Sequence, residues 1–166
     1  MLRLLLLLCA LFTVGFTVAQ TGTTSKRPLT ATDYDRWQSV RLEKLSNNGQ
    51  WISYQIDLQE GDGSLLITAV GSATPKYSFA RGYDARFSAD SRFLVAKLKA
   101  PLADTRKAKR KKKKPDEMPK DSLAVVDLTS GKITKFPNVK SYMVGKDGGS
   151  WVAFLQERTD GKATPK

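Results

Sequence analysis

Residues 45–54 read Leu-Ser-Asn-Asn-Gly-Gln-Trp-Ile-Ser-Tyr, a pattern typical of a β-hairpin. An apolar and a small residue precede a tight polar turn, and an aromatic residue then opens a run of strand formers. Asn-Gly turns are typical of β-hairpins because both central residues tolerate positive φ. The same pattern returns at residues 87–96 and, with one extra residue, at residues 144–154. The sequence therefore predicts a hairpin that is repeated three times.

The spacing of the repeats is regular once one polar tract is set aside. Trp51 and Phe93 are 42 residues apart, whereas Phe93 and Trp151 are 58 apart. The 16 residues of the tract at 105–120 account for the difference. A period of about 40–45 residues with four short strands per unit is typical of β-propeller blades. We therefore predict an all-β fold, a partial β-propeller of about three four-stranded blades. An ordinary β-sandwich with similar hairpins is the alternative.

The amino terminus has the features of an export signal. Arg3 is followed by an apolar run, and Thr17, Val18 and Ala19 offer small residues for cleavage. The apolar stretch at residues 4–19 is 16 residues long, which is short of the ~20 needed to span a bilayer. We predict a signal peptide at residues 1–19 and an exported protein, periplasmic or extracellular. A retained membrane anchor is the alternative.

Residues 20–29 are polar and predict a flexible lead-in to the domain at residues 30–166. A short helix is expected next, because Thr30 and Asp33 have the spacing of a helix-start signal. Tyr34 and Trp37 would share one face of that helix. Because large aromatic side chains are usually buried, we expect this face to pack on the domain.

Composition excludes several kinds of site. The chain has no histidine, which excludes Ser-His-Asp and Cys-His catalytic units and histidine-bound zinc. It has one cysteine, Cys9, which excludes an internal disulfide. The motifs GxSxG, GxxxxGK[ST], GxGxxG and HExxH are also missing from the sequence. We therefore predict no catalytic residue, no cofactor-binding residue and no metal ligand in these 166 residues.

Residues 106–114 carry eight positive charges, within a chain of formal net charge +12. The simplest interpretation is a solvated, self-repelling loop inserted in the second blade at residues 105–120. Weak contact with acidic polysaccharide or lipopolysaccharide of the cell surface is the alternative. Nucleic acid is disfavoured, because the tract has no aromatic residue for stacking on bases and an exported protein leaves the cytoplasm.

Counting the blades predicts that the domain is incomplete. A propeller closes with about 4–8 blades, and three would leave exposed strand edges. Residues 159–166 also read as a turn with no closing strand after it. We therefore expect the chain to be the front part of a longer protein.

Three stretches carry a family resemblance: residues 29–37, the hairpin at 45–51, and the end of the insert at 114–123, Lys-Pro-Asp-Glu-Met-Pro-Lys-Asp-Ser-Leu. Together they resemble the amino-terminal propeller region of exported bacterial serine peptidases of the prolyl oligopeptidase family. The resemblance implies a following α/β-hydrolase domain with a Ser-Asp-His triad, and a propeller that limits substrates to short peptides. No triad residue lies in this chain, so none is carried over.

Two other functions remain open from the sequence. One is a non-catalytic exported propeller that acts as a binding or scaffolding module, because one fold hosts many functions. The other is a nucleic-acid binder that depends on the basic tract. On the peptidase hypothesis, the partners are peptide substrates held by the missing hydrolase domain.

Overall fold

The computed structural model describes residues 26–146 and 151–157. Within these ranges the chain forms mostly β-strands, with two short α-helices. The elements in chain order are α1 Ala31–Tyr34, β1 Gln38–Leu45, β2 Trp51–Leu58, β3 Ser64–Ala69, β4 Tyr77–Ala80, β5 Gly82–Phe87, β6 Phe93–Leu98, α2 Leu102–Arg110, a 3-10 turn Pro115–Glu117, β7 Ser122–Asp127, β8 Ile133–Phe136, β9 Val139–Val144 and β10 Val152–Gln156. The predicted signal peptide at residues 1–19 and the turn at 159–166 lie outside the described residues.

The strands form antiparallel sheets in chain order. The first sheet has the order β1-β2-β3-β4, the second has the order β5-β6-β7-β8, and β9 pairs with β10. Within each sheet, strands that are consecutive in the chain pair with each other, as is usual for short connections. The all-β fold class and the first two repeated hairpins are confirmed. The tip of the third hairpin, at residues 147–150, lies outside the described residues.

The two complete hairpin turns have the same hydrogen bonds. Ser46 Oγ accepts from the backbone N–H of Trp51 at 2.9 Å, and Ser88 Oγ accepts from that of Phe93 at 2.9 Å. Both serines are buried and lie 42 residues apart. The side chain two residues after each serine, Asn48 or Asp90, accepts its hydroxyl proton. The sequence repeat is therefore a repeat of three-dimensional structure.

A second repeated feature lies inside the first strand of each complete sheet. The pairing register shifts within β1 and within β5, and at these bulges Leu42 has φ 54° and Asp84 has φ 44°. These two residues are again 42 apart. Arg81 and Asn138, which precede β5 and β9, also have positive φ. A β-bulge bends its strand, so bulges at equivalent positions give the first strands the same curvature.

The core lies between sheets, in two layers. One layer joins the first sheet to the second and contains Leu65, Ile67 and Leu94. The other contains Val95 and joins the second sheet to the β9–β10 pair. Because successive side chains of a strand point to opposite faces, Leu94 and Val95 of β6 enter different layers. The second sheet is therefore buried on both faces, which explains its continuous apolar strands.

The helix at residues 30–37 is present but shorter than expected, and its aromatic face is not packed on the domain. α1 is one turn, begun by the predicted capping box between Thr30 and Asp33. Tyr34 is 45% exposed and Trp37 is 56% exposed, and their rings contact each other with centroids 4.7 Å apart. The expectation of a buried face was therefore wrong, because the two rings pack on each other and remain about half exposed.

The basic tract also differs from the expected loop. Residues 102–110 form α2, in which Ala108 is buried. Arg106 makes an ion pair of 2.5 Å with Glu60, and the N–H of Leu102 donates to Asp62 at 3.2 Å. Both acidic residues lie in the connection between β2 and β3. Contacts with the distant β2–β3 connection therefore hold the first half of the basic tract as a helix. Charge repulsion within the tract gives no indication of these contacts.

Replacing Ser88 with alanine should lower the free energy of unfolding by about 1–2 kcal/mol. The change removes the acceptor for the N–H of Phe93 in a buried turn. Ser46→Ala should cost a similar amount, because the two turns share the same bonds. Chemical denaturation followed by circular dichroism measures both. Ser141→Ala, on an exposed strand position, is the control. If Ser88→Ala lowered the free energy of unfolding and Ser46→Ala did not, the result would contradict the structural repeat.

Candidate functional site

A polar cluster on the second sheet is the main candidate site. The hydroxyl of Tyr83, on β5, donates to Asp121 Oδ2 at 2.5 Å. The other carboxylate oxygen of Asp121 accepts from the N–H of Ala100 at 3.1 Å. Lys97 Nζ, from β6, lies 3.5 Å from Asp121 Oδ2. One carboxylate therefore ties β5 and β6 to the start of β7.

Two lysines complete this cluster above the phenol ring. The ammonium groups of Lys97 and Lys99 lie 5.4 and 5.2 Å from the centre of the Tyr83 ring. Both distances fall in the range of cation–π attraction. Lys97 also donates to the backbone oxygen of Lys140 at 2.9 Å, and this bond reaches β9. The cluster thus links the second sheet to the β9–β10 pair.

The first strands of the three sheets are neighbours in space. Lys44 Nζ on β1 donates to the backbone oxygen of Ala85 on β5 at 2.7 Å. The hydroxyl of Tyr142 on β9 donates to the backbone oxygen of Asp84 on β5. Arg86 lies 3.5 Å from the Asp84 carboxylate and 5.6 Å from the centre of the Tyr142 ring. Side chains of β1 and β9 therefore both bond to the backbone of β5, which lies between them.

The two tyrosines of this region are held in their protonated form. Burial raises the pKa of Tyr83 well above its usual range, and its hydrogen bond to Asp121 adds to the effect. Burial also raises the pKa of Tyr142, and the nearby Asp84 charge adds to it while Arg86 opposes it. Each phenol donates its proton to a fixed acceptor. Their chemistry is therefore that of hydrogen-bond donors that position neighbouring groups.

Two cavities lie at opposite ends of these first strands. A cavity of about 590 Å³ lies where the β2–β3 connection meets the start of α2, and its charged lining includes Arg41, Arg81 and Asp62. A cavity of about 410 Å³ lies at the hairpin-turn end, between the second sheet and the β9–β10 pair. Phe87 and Trp151 contribute to its lining. The first cavity has a mixed lining that includes several charged residues, whereas the second is mainly apolar.

The sequence did not single out the polar cluster. Tyr83 and Asp121 are 38 residues apart, so only the sheet brings them together. One signal was available: β6 reads Phe-Leu-Val-Ala-Lys-Leu, and a lysine inside such an apolar strand needs a polar partner. The prediction of no catalytic, cofactor-binding or metal-ligating residue stays a prediction.

Within residues 26–146 and 151–157, no group of three or more Asp, Glu, Cys or His residues is placed to hold a metal ion. No helix among the described residues is both long and apolar enough to cross a bilayer. Comparison with protein-family models and with curated proteins finds no match to this chain.

Proposed function

We propose that this chain is the amino-terminal propeller part of an exported serine peptidase that hydrolyses oligopeptides. The observation that carries the proposal is the contact between equivalent first strands. Lys44 bonds to Ala85 across β1 and β5, and Tyr142 bonds to Asp84 across β9 and β5. In a β-propeller, blades surround a central channel. Successive sheets that meet through their first strands fit blades arranged around such an axis.

Two open sheet faces also favour this arrangement. The second sheet is covered on both sides, whereas Val40 and Leu45 of the first sheet are exposed. Trp151 and Leu155, beside or within β10, are 54% and 58% exposed. Exposed apolar faces of this kind commonly mark surfaces that another element covers. We propose that further blades of the same protein cover both faces.

The peptidase activity itself rests on the family resemblance of residues 29–37, 45–51 and 114–123. In the proposed ring, the first strands border the axial channel. Their polar groups, among them Arg86 and the Lys44 ammonium, would form part of the channel wall. This wall offers cationic donors to the carbonyl oxygens and the carboxylate of a short peptide. The role proposed for this chain is therefore to admit short peptides and to exclude folded proteins.

The product of the complete native gene should label with a fluorophosphonate, a reagent that modifies activated serines. The 166-residue chain alone should remain unlabelled, because it has no histidine to act as the base. The full product should also cleave short peptides, and it should leave intact a folded protein that contains the same peptide sequences. Gel fluorescence and chromatography of the peptide products measure both outcomes.

Two results would decide against the peptidase. A full gene product that neither labels nor cleaves peptides would favour the non-catalytic binding module. Labelling of the 166-residue chain would show that the argument from its residue types is wrong. A full product that cleaves folded proteins as fast as peptides would contradict the role proposed for the channel.

A further inference from the structure

A dense group of exposed cations lies on and after α2. We define the basic strip as Lys107, Lys109, Arg110, Lys111, Lys112, Lys113 and Lys114. All seven side chains are exposed. Within the described parts of the chain none of the seven forms a salt bridge, whereas Arg106 and Lys120 on either side of the strip do so. Seven positive charges in eight residues therefore face solvent, and no carboxylate of the described residues pairs with them.

The strip is held in place rather than free to spread. Ala108 is 5% exposed, and the ion pair of Arg106 with Glu60 fixes the adjacent turn of the helix. The Asp62 carboxylate holds the N–H of Leu102 at the start of the helix. Like charges that are held together repel one another, and a bound polyanion relieves that repulsion. The cations are therefore arranged in advance for a partner of high negative charge density.

The shape of the strip selects among polyanions. At about 100° per residue, Lys107, Lys109 and Arg110 spread over an arc of about 160° centred opposite Ala108. Lys111–Lys114 continue beyond the helix, where Lys112 has φ 52° and turns the chain. The result is a convex ridge with charges on several sides. A flexible linear polymer can follow such a ridge, whereas a flat bilayer reaches one side of it.

We propose that the basic strip binds a flexible acidic polysaccharide through that polymer's carboxylate or sulfate groups. Residues 102–120 contain no aromatic side chain, whereas binders of single-stranded nucleic acid stack bases on aromatic rings. The same residues offer few apolar groups for insertion into a lipid surface. The recognition is electrostatic, so it depends on salt concentration.

The test uses the full chain and a fluorescently labelled heparin oligosaccharide, with binding followed by fluorescence anisotropy. A variant that replaces Lys109, Lys111, Lys112 and Lys113 with glutamine should bind about tenfold or more weakly at about 50 mM salt. Its salt dependence should also be shallower. The matched control replaces four exposed lysines elsewhere: Lys26, Lys132, Lys135 and Lys140. The control has the same net charge and should keep most of the affinity. Circular dichroism checks that both variants fold.

Further outcomes distinguish the partner. Arginine at the same four strip positions should retain binding, since charge is kept. Equal losses in the strip variant and the control would overturn the proposal, because net charge alone would then explain binding. Tighter binding to an oligothymidylate of equal charge would replace the polysaccharide with nucleic acid. Tighter binding to vesicles containing phosphatidylglycerol would replace it with a lipid surface. Either result would overturn the partner named here.

Discussion

Replacing Leu94 with alanine should lower the free energy of unfolding by about 2–5 kcal/mol. Leu94 is 0% exposed and lies in the layer between the first two sheets, among Leu65, Ile67 and Val126. Truncation removes buried apolar atoms and leaves a cavity that β6, paired on both sides, cannot close by moving. Urea denaturation of the two proteins measures the difference.

Leu155→Ala is the matched control for this prediction. The residue type and the truncation are the same, but Leu155 is 58% exposed on β10. Its loss should change stability by less than about 1 kcal/mol. Equal destabilisation by the two changes would show that the layer between the first two sheets is not the main core.

Replacing Gly82 with alanine should destabilise the protein by about 3 kcal/mol. Gly82 begins β5, the strand of the second sheet that contacts β1, β2 and β3 of the first sheet. A Cβ added there would lie 2.5 Å from Leu65 Cβ and 3.2 Å from Phe79 Cβ. These atoms are fixed by the backbones of β3 and β4, so rotating a side chain cannot relieve the overlap. The sheets would have to separate, which weakens the apolar layer behind them.

Gly71→Asn provides the control for the Gly82 prediction. Gly71 has φ +84° and no atom near its added Cβ, and asparagine tolerates positive φ better than most residues. This change should cost less than about 1 kcal/mol. Thermal denaturation of the three proteins compares them directly. A Gly82→Ala protein as stable as the parent would mean that the two sheets can move apart at this point.

Features that depend on near neighbours in the chain were predicted well. The Asn-Gly turn and the spaced serines specify the hairpins, because Ser46 and Trp51 bond across a few residues. The capping box of Thr30 and Asp33 starts α1 for the same reason. The export signal at residues 1–19 is also a local pattern, and it stays a prediction.

Features that depend on residues distant in the chain were either not predicted or predicted wrongly. The basic tract is half helical because Glu60 and Asp62, some 40 residues away, hold its start. Trp37 is 56% exposed and its ring contacts that of Tyr34, and no pattern within residues 30–37 reveals this outcome. The cluster of Tyr83 and Asp121 exists only after β5, β6 and β7 have paired.

The strands, their turns and the 42-residue repeat can be derived from local sequence, since turn hydrogen bonds and alternating polarity involve residues that are close together in the chain. The stacking of the sheet faces, the position of α2 and the alignment of the first strands through Tyr142 and Lys44 depend on contacts between distant residues. The two kinds of feature differ in the sequence separation of the groups that interact. A hairpin bond forms within one turn of chain, whereas burial of Leu94 or pairing of Arg106 requires another sheet or loop to arrive.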